Sequence, residues 1–363
     1  MAENQVYVAV GEETIRNTAQ SSTVGFVPLL SLAFPKAEFD EPERAEGRGE
    51  DTVKGAVARS RQMRKWSHSL ETAFFTEAGT VKGIVGTMLK HFFGKSATAQ
   101  NATTGQYYHM LYPVADPFLA ANLGTKGLTL NHNVSEGAIT KNHAFTGGRV
   151  NSLNFSQEAG QSLKLTMSMF GQSKVASGTA IASPAFAAEN LRCDFDTLTL
   201  YTGTITRTGT GPDYTQFAFG SATIIKPDSL SITIENGMED AMQLAGVDYP
   251  TKTRMGKYKV SLEFTIDLED PAAGFSSFDD FNLWFAGASS SNFFANWNTG
   301  TQAGTGDNHS LGIDMPVMQR MGGEPNFSFD KDPMITLKYE GLYDATTTKY
   351  IVGLFLKNTA TAL

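Results

Sequence analysis

The stretch Tyr258-Lys-Val-Ser-Leu-Glu-Phe-Thr-Ile-Asp-Leu268 alternates apolar and polar side chains without a break. A β-strand turns successive side chains to opposite faces, so the pattern predicts one long strand with an apolar face and a wet face. A shorter version precedes it, where Leu230, Ile232 and Ile234 alternate with Ser231, Thr233 and Glu235, and the two read as a strand pair joined by a longer loop. Further upstream, Leu153 and Phe155 alternate with Ser152, Asn154 and Ser156, EAGQ at 158–161 makes a turn, and Leu163, Leu165, Met167 and Met169 alternate with Lys164, Thr166 and Ser168. That is a hairpin with one wet face.

Composition agrees with an all-β reading. The chain has 363 residues, 35 Gly and 25 Phe, with abundant Ser and Thr, which suits strands joined by many turns better than a helical bundle. Its hydrophobic share of 41% is that of a folded protein, and no apolar run approaches the roughly 20 residues a spanning helix needs. The opening MAENQVYVAVGEET lacks the basic, apolar and small-residue segments of a secretory signal, so the expectation is a protein kept in the cytoplasm until something larger leaves the cell. A net charge of -8 repels phosphate and argues against a broad basic face that grips nucleic acid. The single cysteine, Cys193, excludes a disulfide framework or a multi-thiolate zinc site and reads as a small core residue.

Outside the alternating regions the pattern is coarser. VYVAV at 6–10 and GFVPLLSLAF at 25–34 could be strands or an extended arm. Residues 36–51 carry the acids Glu38, Asp40, Glu41, Glu43, Glu46, Glu50 and Asp51, and residues 52–65 carry Lys54, Arg59, Arg61, Arg64 and Lys65 with no acid among them. Such blocks read first as solvated loop. Val81, Ile84, Val85, Met88, Leu89 and Phe92 share one helical face, and Gly94 can stop that helix. Residues 96–127 look turn-rich, 171–224 look like an insertion of small residues and short strands, and 286–312 look like an exposed loop, so that 286–325 counts as insertion. A short helix is expected at 278–286 with Ser277 as its cap, and closing strands at 326–329, 334–339 and 349–357. No linker forces a domain split, so 1–363 is read as one domain with 1–65 as an arm and charged loop.

Motifs for chemistry fail. FGKS at 93–96 lacks the glycine five positions earlier that a phosphate-binding loop needs, because Leu89 is there. The six histidines never fall at i, i+4; His132 and His143 could meet across a hairpin, but read as ordinary polar surface. Asp267, Glu269 and Asp270, like Asp330 and Asp332, lack the ligand spacing of a calcium loop. No metal, cofactor or catalytic residue is assigned, and no enzyme is expected.

The order of pieces resembles the tail tube proteins of long-tailed, siphophage-type bacteriophages. The resemblance rests on Phe145-Thr-Gly-Gly-Arg-Val-Asn-Ser-Leu-Asn-Phe155 followed by a turn and Leu163 to Phe170, and on Asp228-Ser-Leu-Ser-Ile-Thr-Ile-Glu-Asn-Gly237 followed by the long strand and a Phe-rich helix. It spans roughly residues 100–360, with the His109 segment before the first hairpin and a closing strand ending at Asn358. It implies an antiparallel β-sandwich, or open barrel, with one or two flanking helices. Six copies would form a ring whose inner sheets join into one barrel, a channel for DNA ejection in the virion tail, with the tape measure, tail terminator and distal tail proteins as partners and no membrane. Four strands from each of six copies make 24, and at ~4.8 Å spacing and ~40° tilt such a barrel is about 50 Å across.

The expected lumen face is then Glu158, Lys164, Thr166, Ser168, Ser231, Thr233, Glu235, Lys259, Glu263, Thr265, Asp267 and Glu269. Its five acids and two lysines repel phosphate, so DNA would slide without specific binding. Glu38, Asp40, Glu41, Glu43, Arg59, Arg61, Arg64 and Lys65 become candidates for contact between successive rings. Three rivals stay open. A carbohydrate-binding sandwich would use Phe293, Phe294 and Trp297, and an outer-membrane porin is opposed by the missing signal and the non-aromatic Leu363. In the third, two tube domains fused in one chain would make the ring a trimer, for which the chain looks short.

Overall fold

A computed structural model of the protein describes residues 5–22, 24–31, 33–38, 65–77, 84–101, 105–136, 139–175, 181, 184–241, 243, 250–287, 290–305, 307–323, 325–328 and 331–363. The amino-terminal part supplies β1 (Gln5–Glu13), β2 (Val24–Val27), β3 (Leu29–Ser31), β4 (Lys36–Glu38), β5 (Lys65–Ala73) and helix α1 (Ile84–Phe93). Next come β6 (Ser96–Gln100), β7 (Tyr107–Leu111), β8 (Gly127–Glu136), β9 (Ile139–Glu158), β10 (Lys164–Gly171) and β11 (Ser173–Lys174). The middle adds β12 (Leu198–Thr210), β13 (Asp213–Ile225), β14 (Ser229–Glu235), β15 (Glu239–Ala241), β16 (Lys252–Arg254), β17 (Lys259–Asp267) and α2 (Ser277–Phe285). The chain closes with β18 (Ser290–Gln302), β19 (Asn308–Gly322), β20 (Pro325–Ser328), β21 (Lys331–Gly341) and β22 (Gly353–Asn358).

The protein is mostly antiparallel β, as its alternation predicts. One sheet runs in the order β3 and β4, β5, β10, β9, β14, β17, β21, with β20 beside the first part of β21 and the end of β19 beside its last part. The four strands legible in the sequence, β10, β9, β14 and β17, are contiguous at its centre. Opposite its apolar face lie two further strand sets, β2–β1–β8–β9 and β6–β7–β22–β19–β18–β12–β13. The amino-terminal half of β9 pairs with β8 and its carboxy-terminal half with β14, so this strand joins the layers. Among them lies one apolar cluster containing Leu70, Phe155, Met167, Ile232, Leu262, Phe264, Leu337, Trp297 and Leu311.

Helix α1 follows the predicted spacing, with Ile84, Val85, Met88, Leu89 and Phe92 all buried. Gly94 ends it at φ 90°, donating its N–H to Lys90 O over 2.8 Å, so the FGKS match is a helix cap. Helix α2 begins one residue earlier than expected, because Ser276 accepts from the Asp279 N–H and Ser277 instead bonds the carbonyls of Asp267 and Glu269. Cys193 is buried as a core residue.

Several polar-looking regions are strands. The segment 286–312 is not an exposed loop: it contains β18 and the start of β19, and Phe293, Phe294 and Trp297 are buried. Their period-two signal is broken by Phe294, which turns away from the core face of Phe293, Ala295 and Trp297 and is covered by the β12–β13 hairpin. Phe217 and Phe219 of that hairpin pack on Phe294, and Arg207 forks onto the buried Asp314 at 2.7 and 2.8 Å. The same hairpin replaces the short strands expected in 171–224 with two of 13 residues, much of whose outer side is solvated. Residues 96–127 contain β6 and β7, and the arm at 5–31 contributes β1 with Val8, Ala9 and Val10 all buried. Continuous burial in β1 erases the alternation that would have revealed it.

The faces of β17 make a direct check. Leu262→Ala should destabilise by about 2–5 kcal/mol in urea unfolding, because Leu262 is fully buried, while the neighbouring Ser261→Ala on the opposite face should stay within about 0.5 kcal/mol.

Candidate functional site: the hydrophilic face of the long sheet

Register across β5, β10, β9, β14, β17 and β21 arranges the solvent-side residues in rows. One row runs Glu71, Thr166, Asn154, Thr233, Ser261, Glu340, and the next runs Ala73, Lys164, Ser156, Ser231, Glu263, Lys338. A third contains Glu158, Ser229, Thr265 and Thr336, and a fourth Ser69, Ser168, Ser152, Glu235 and Lys259. All twelve residues expected on this surface are half-buried or exposed, and eleven lie within the strands on that face; Glu269 follows the end of β17. Sequence reasoning missed the flanking contributions of β5 and β21, whose alternation is broken by His68 and Thr72 in one and by Pro333 in the other.

The face is knitted by its own side chains. Asn154 Nδ2 donates to Ser231 Oγ at 3.1 Å and to Thr233 Oγ1 at 2.7 Å, and the hydroxyls of Thr265 and Thr336 are 2.9 Å apart. Lys164 pairs with Glu71 at 3.3 Å, Lys338 with Glu263 at 3.1 Å, and Lys65 with Glu38 at 3.1 Å. Lys259 stands opposite Glu235 in register. Each lysine of the face therefore has a carboxylate beside or opposite it, and the wet positions of these six strands carry neither arginine nor an aromatic ring. Such a surface sets its cations against carboxylates and offers no platform for base stacking among the described residues.

A family model described as phage tail tube protein matches residues 3–341. The chain belongs to that family. It is thus a structural protein of the bacteriophage tail, of a kind that assembles with itself and other tail proteins into a tube. No curated protein matches the chain. Among the described residues no helix is long and apolar enough to cross a membrane, and no three His, Cys, Asp or Glu side chains are grouped to hold a metal.

Of the charged residues expected to join rings, Glu38 and Lys65 meet at the ends of the paired strands β4 and β5; Asp40, Glu41, Glu43, Arg59, Arg61 and Arg64 lie outside the described residues. The aromatic surface of a carbohydrate-binding protein is not at Phe293, Phe294 and Trp297, which are core.

His132 and His143 do meet across β8 and β9, but His132 is buried rather than polar surface, and His143 is half-buried. His132 is buried, the His68 ring lies 5.3 Å from it, and Phe34 packs edge-on against both His132 and His143. Burial holds His68 down at about 4, and burial together with the neighbouring His68 and His143 holds His132 at about 3. Burial and Lys174 lower His143. His68 on β5, His132 on β8 and His143 on β9 are the histidines of this cluster, with Lys174 of β11 beside them, and no carboxylate features among the causes of the histidines' shifts. An unfolded histidine binds its proton near pH 6.5, so stability is full above that value and falls as the unfolded chain takes up protons first. The urea midpoint should therefore drop steadily from about pH 6.5 towards pH 4; His132→Phe should make that slope shallower, and an unchanged slope would contradict the assignment.

Proposed function

We propose that the chain is the major tail tube subunit, that copies join side by side into closed rings, and that the hydrophilic face of the long sheet lines the channel through which DNA leaves. The observation carrying this reading is the combination of wet rows across six contiguous long strands with lysines matched by carboxylates, in a member of the tail tube family. A moving duplex needs a wall that neither grips phosphate nor stacks bases. Seven carboxylates against three lysines, once Glu71, Lys338 and Glu340 join the expected set, keep the wall repulsive.

Rings then stack head to tail, a heterologous contact that propagates as a filament. The charged blocks of residues 38–65 are suited to that contact, since they link the ends of adjacent strands closed by Glu38 and Lys65. The tape measure, tail terminator and distal tail proteins are the expected partners, with assembly in the host cytoplasm and residence in the virion tail.

Negative-stain microscopy of the purified protein should show hollow rods or annuli with a central hole, and uniformly solid monomers at high concentration would refute the proposal. Deleting residues 40–63 should leave annuli but abolish rods; rods of normal length would remove the loop from the ring-to-ring contact.

A further inference from the structure

One topological unit occurs twice in the chain. The first occurrence runs from β3 and β4 through residues 39–64 to β5, then α1, then outer strands, and ends in the β9–β10 hairpin. The second runs from β14 through residues 236–258, which include the small β15–β16 pair, to β17, then α2, then β18 and β19, and ends in the β20–β21 hairpin. Ten residues separate Ala73 from Ile84 and nine separate Asp267 from Ser277, so each helix follows its strand at nearly the same distance. Sheet order is the same in both: β3 and β4, β5, β10, β9 in one, and β14, β17, β21, β20 in the other. In each, the second arm of the closing hairpin lies inside the first.

Side chains repeat as well. Lys65-Trp-Ser-His-Ser-Leu-Glu71 aligns with Lys257-Tyr-Lys-Val-Ser-Leu-Glu263, sharing Lys, an aromatic, and Ser-Leu-Glu. Ser31 stands opposite Glu71 and Ser231 opposite Glu263. Each glutamate takes a lysine from the next strand, Lys164 at 3.3 Å in one unit and Lys338 at 3.1 Å in the other. The helices end Phe92-Phe93-Gly94 and Trp284-Phe285-Ala286-Gly287, both glycines having positive φ.

We infer that the chain is two fused tube units and that the ring closes with three chains, an inference that rests on the ring-and-channel reading above. Each unit supplies four strand positions, each chain eight, and three chains 24. At ~4.8 Å spacing and ~40° tilt, 24 strands close at about 50 Å, whereas six chains would need 48 and roughly 100 Å. The four strands legible in the sequence are the closing hairpin of the first unit and the opening pair of the second, which is why they resembled one domain's share. The chain also contains a template for the joint between copies. Inside it, unit meets unit where β9 pairs with β14, from Glu158 opposite Ser229 to Ser152 opposite Glu235. The equivalent joint between copies sets β20 against β3 of the next chain, with Asn326 near Leu29. Among the described residues β20 pairs only with β21, and β3 and β4 only with β5, so both outer sides lack a strand partner. Short terminal strands of three or four residues also keep a lone subunit from pairing indiscriminately.

The test is Leu29→Cys combined with Asn326→Cys in the full chain, oxidised after assembly; the native Cys193 is buried and does not interfere. Denaturing gels should show one-, two- and three-chain species and stop there, with neither single variant cross-linking. A ladder reaching six chains in intact tubes overturns the inference and leaves the tube reading standing, and intact tubes without cross-links overturn the joint. Failure of the unmodified protein to form tubes overturns both. Native mass measurement of unmodified rings supplies the same count independently of the cysteines: three chains is the expected result, and six contradicts it.

Discussion

Everything in this molecule depends on the two-faced character of one sheet. Its strands must bury Leu153, Phe155, Leu165, Ile232, Leu262, Phe264 and Leu337 against the layer behind, each worth about 1.5–3 kcal/mol. Because side chains alternate, burying that set turns Asn154, Thr166, Thr233, Ser261 and Lys338 outward in the same act. A slip of one residue in any strand would drive its polar set into the core. The hydrophilic rows are therefore held in place by the core, and they need no stabilising energy of their own. That suits the inert channel wall proposed for this face.

Inertness has a chemical form here. Exposed ion pairs such as Lys338 with Glu263 add little to stability, and their more telling effect is to occupy the lysine. Hydroxyls bonded to each other or to Asn154 present short, internally satisfied groups to the solvent. A nucleic-acid-binding face would instead carry unpaired arginine and exposed aromatic rings, which are missing from the wet positions of these six strands. The aromatic wealth of the chain lies mostly behind the sheet, in contacts such as Phe264 with Tyr339 and Phe155 with Phe74.

Legibility in the sequence followed exposure. Strands with one wet face, β9, β10, β14 and β17, were readable from alternation alone, as was α1 from its single apolar stripe. Strands with apolar residues buried on both faces were harder: β1 has its buried Val-Ala-Val run, and in β18 Phe294, buried beneath the β12–β13 hairpin, interrupts the alternation. The flanking strands β5 and β21 were harder because buried His68, Thr72 and an internal Pro333 interrupt their patterns, so the surface was read as narrower than it is. The histidine cluster was invisible for a different reason. His68 reaches His132 only across the layers, and no local spacing carries that contact. The repeat of the unit was hidden by divergence outside Ser-Leu-Glu and by unequal outer strands, and only pairing order exposes it.

The most direct measurement is a helical reconstruction of assembled tubes at side-chain resolution. The account predicts Thr233, Ser261 and Glu263 pointing at the tube axis, with no protein between them and the bore. If those three side chains face the outer solvent or a neighbouring ring instead, the hydrophilic sheet is not the channel wall and the account is wrong.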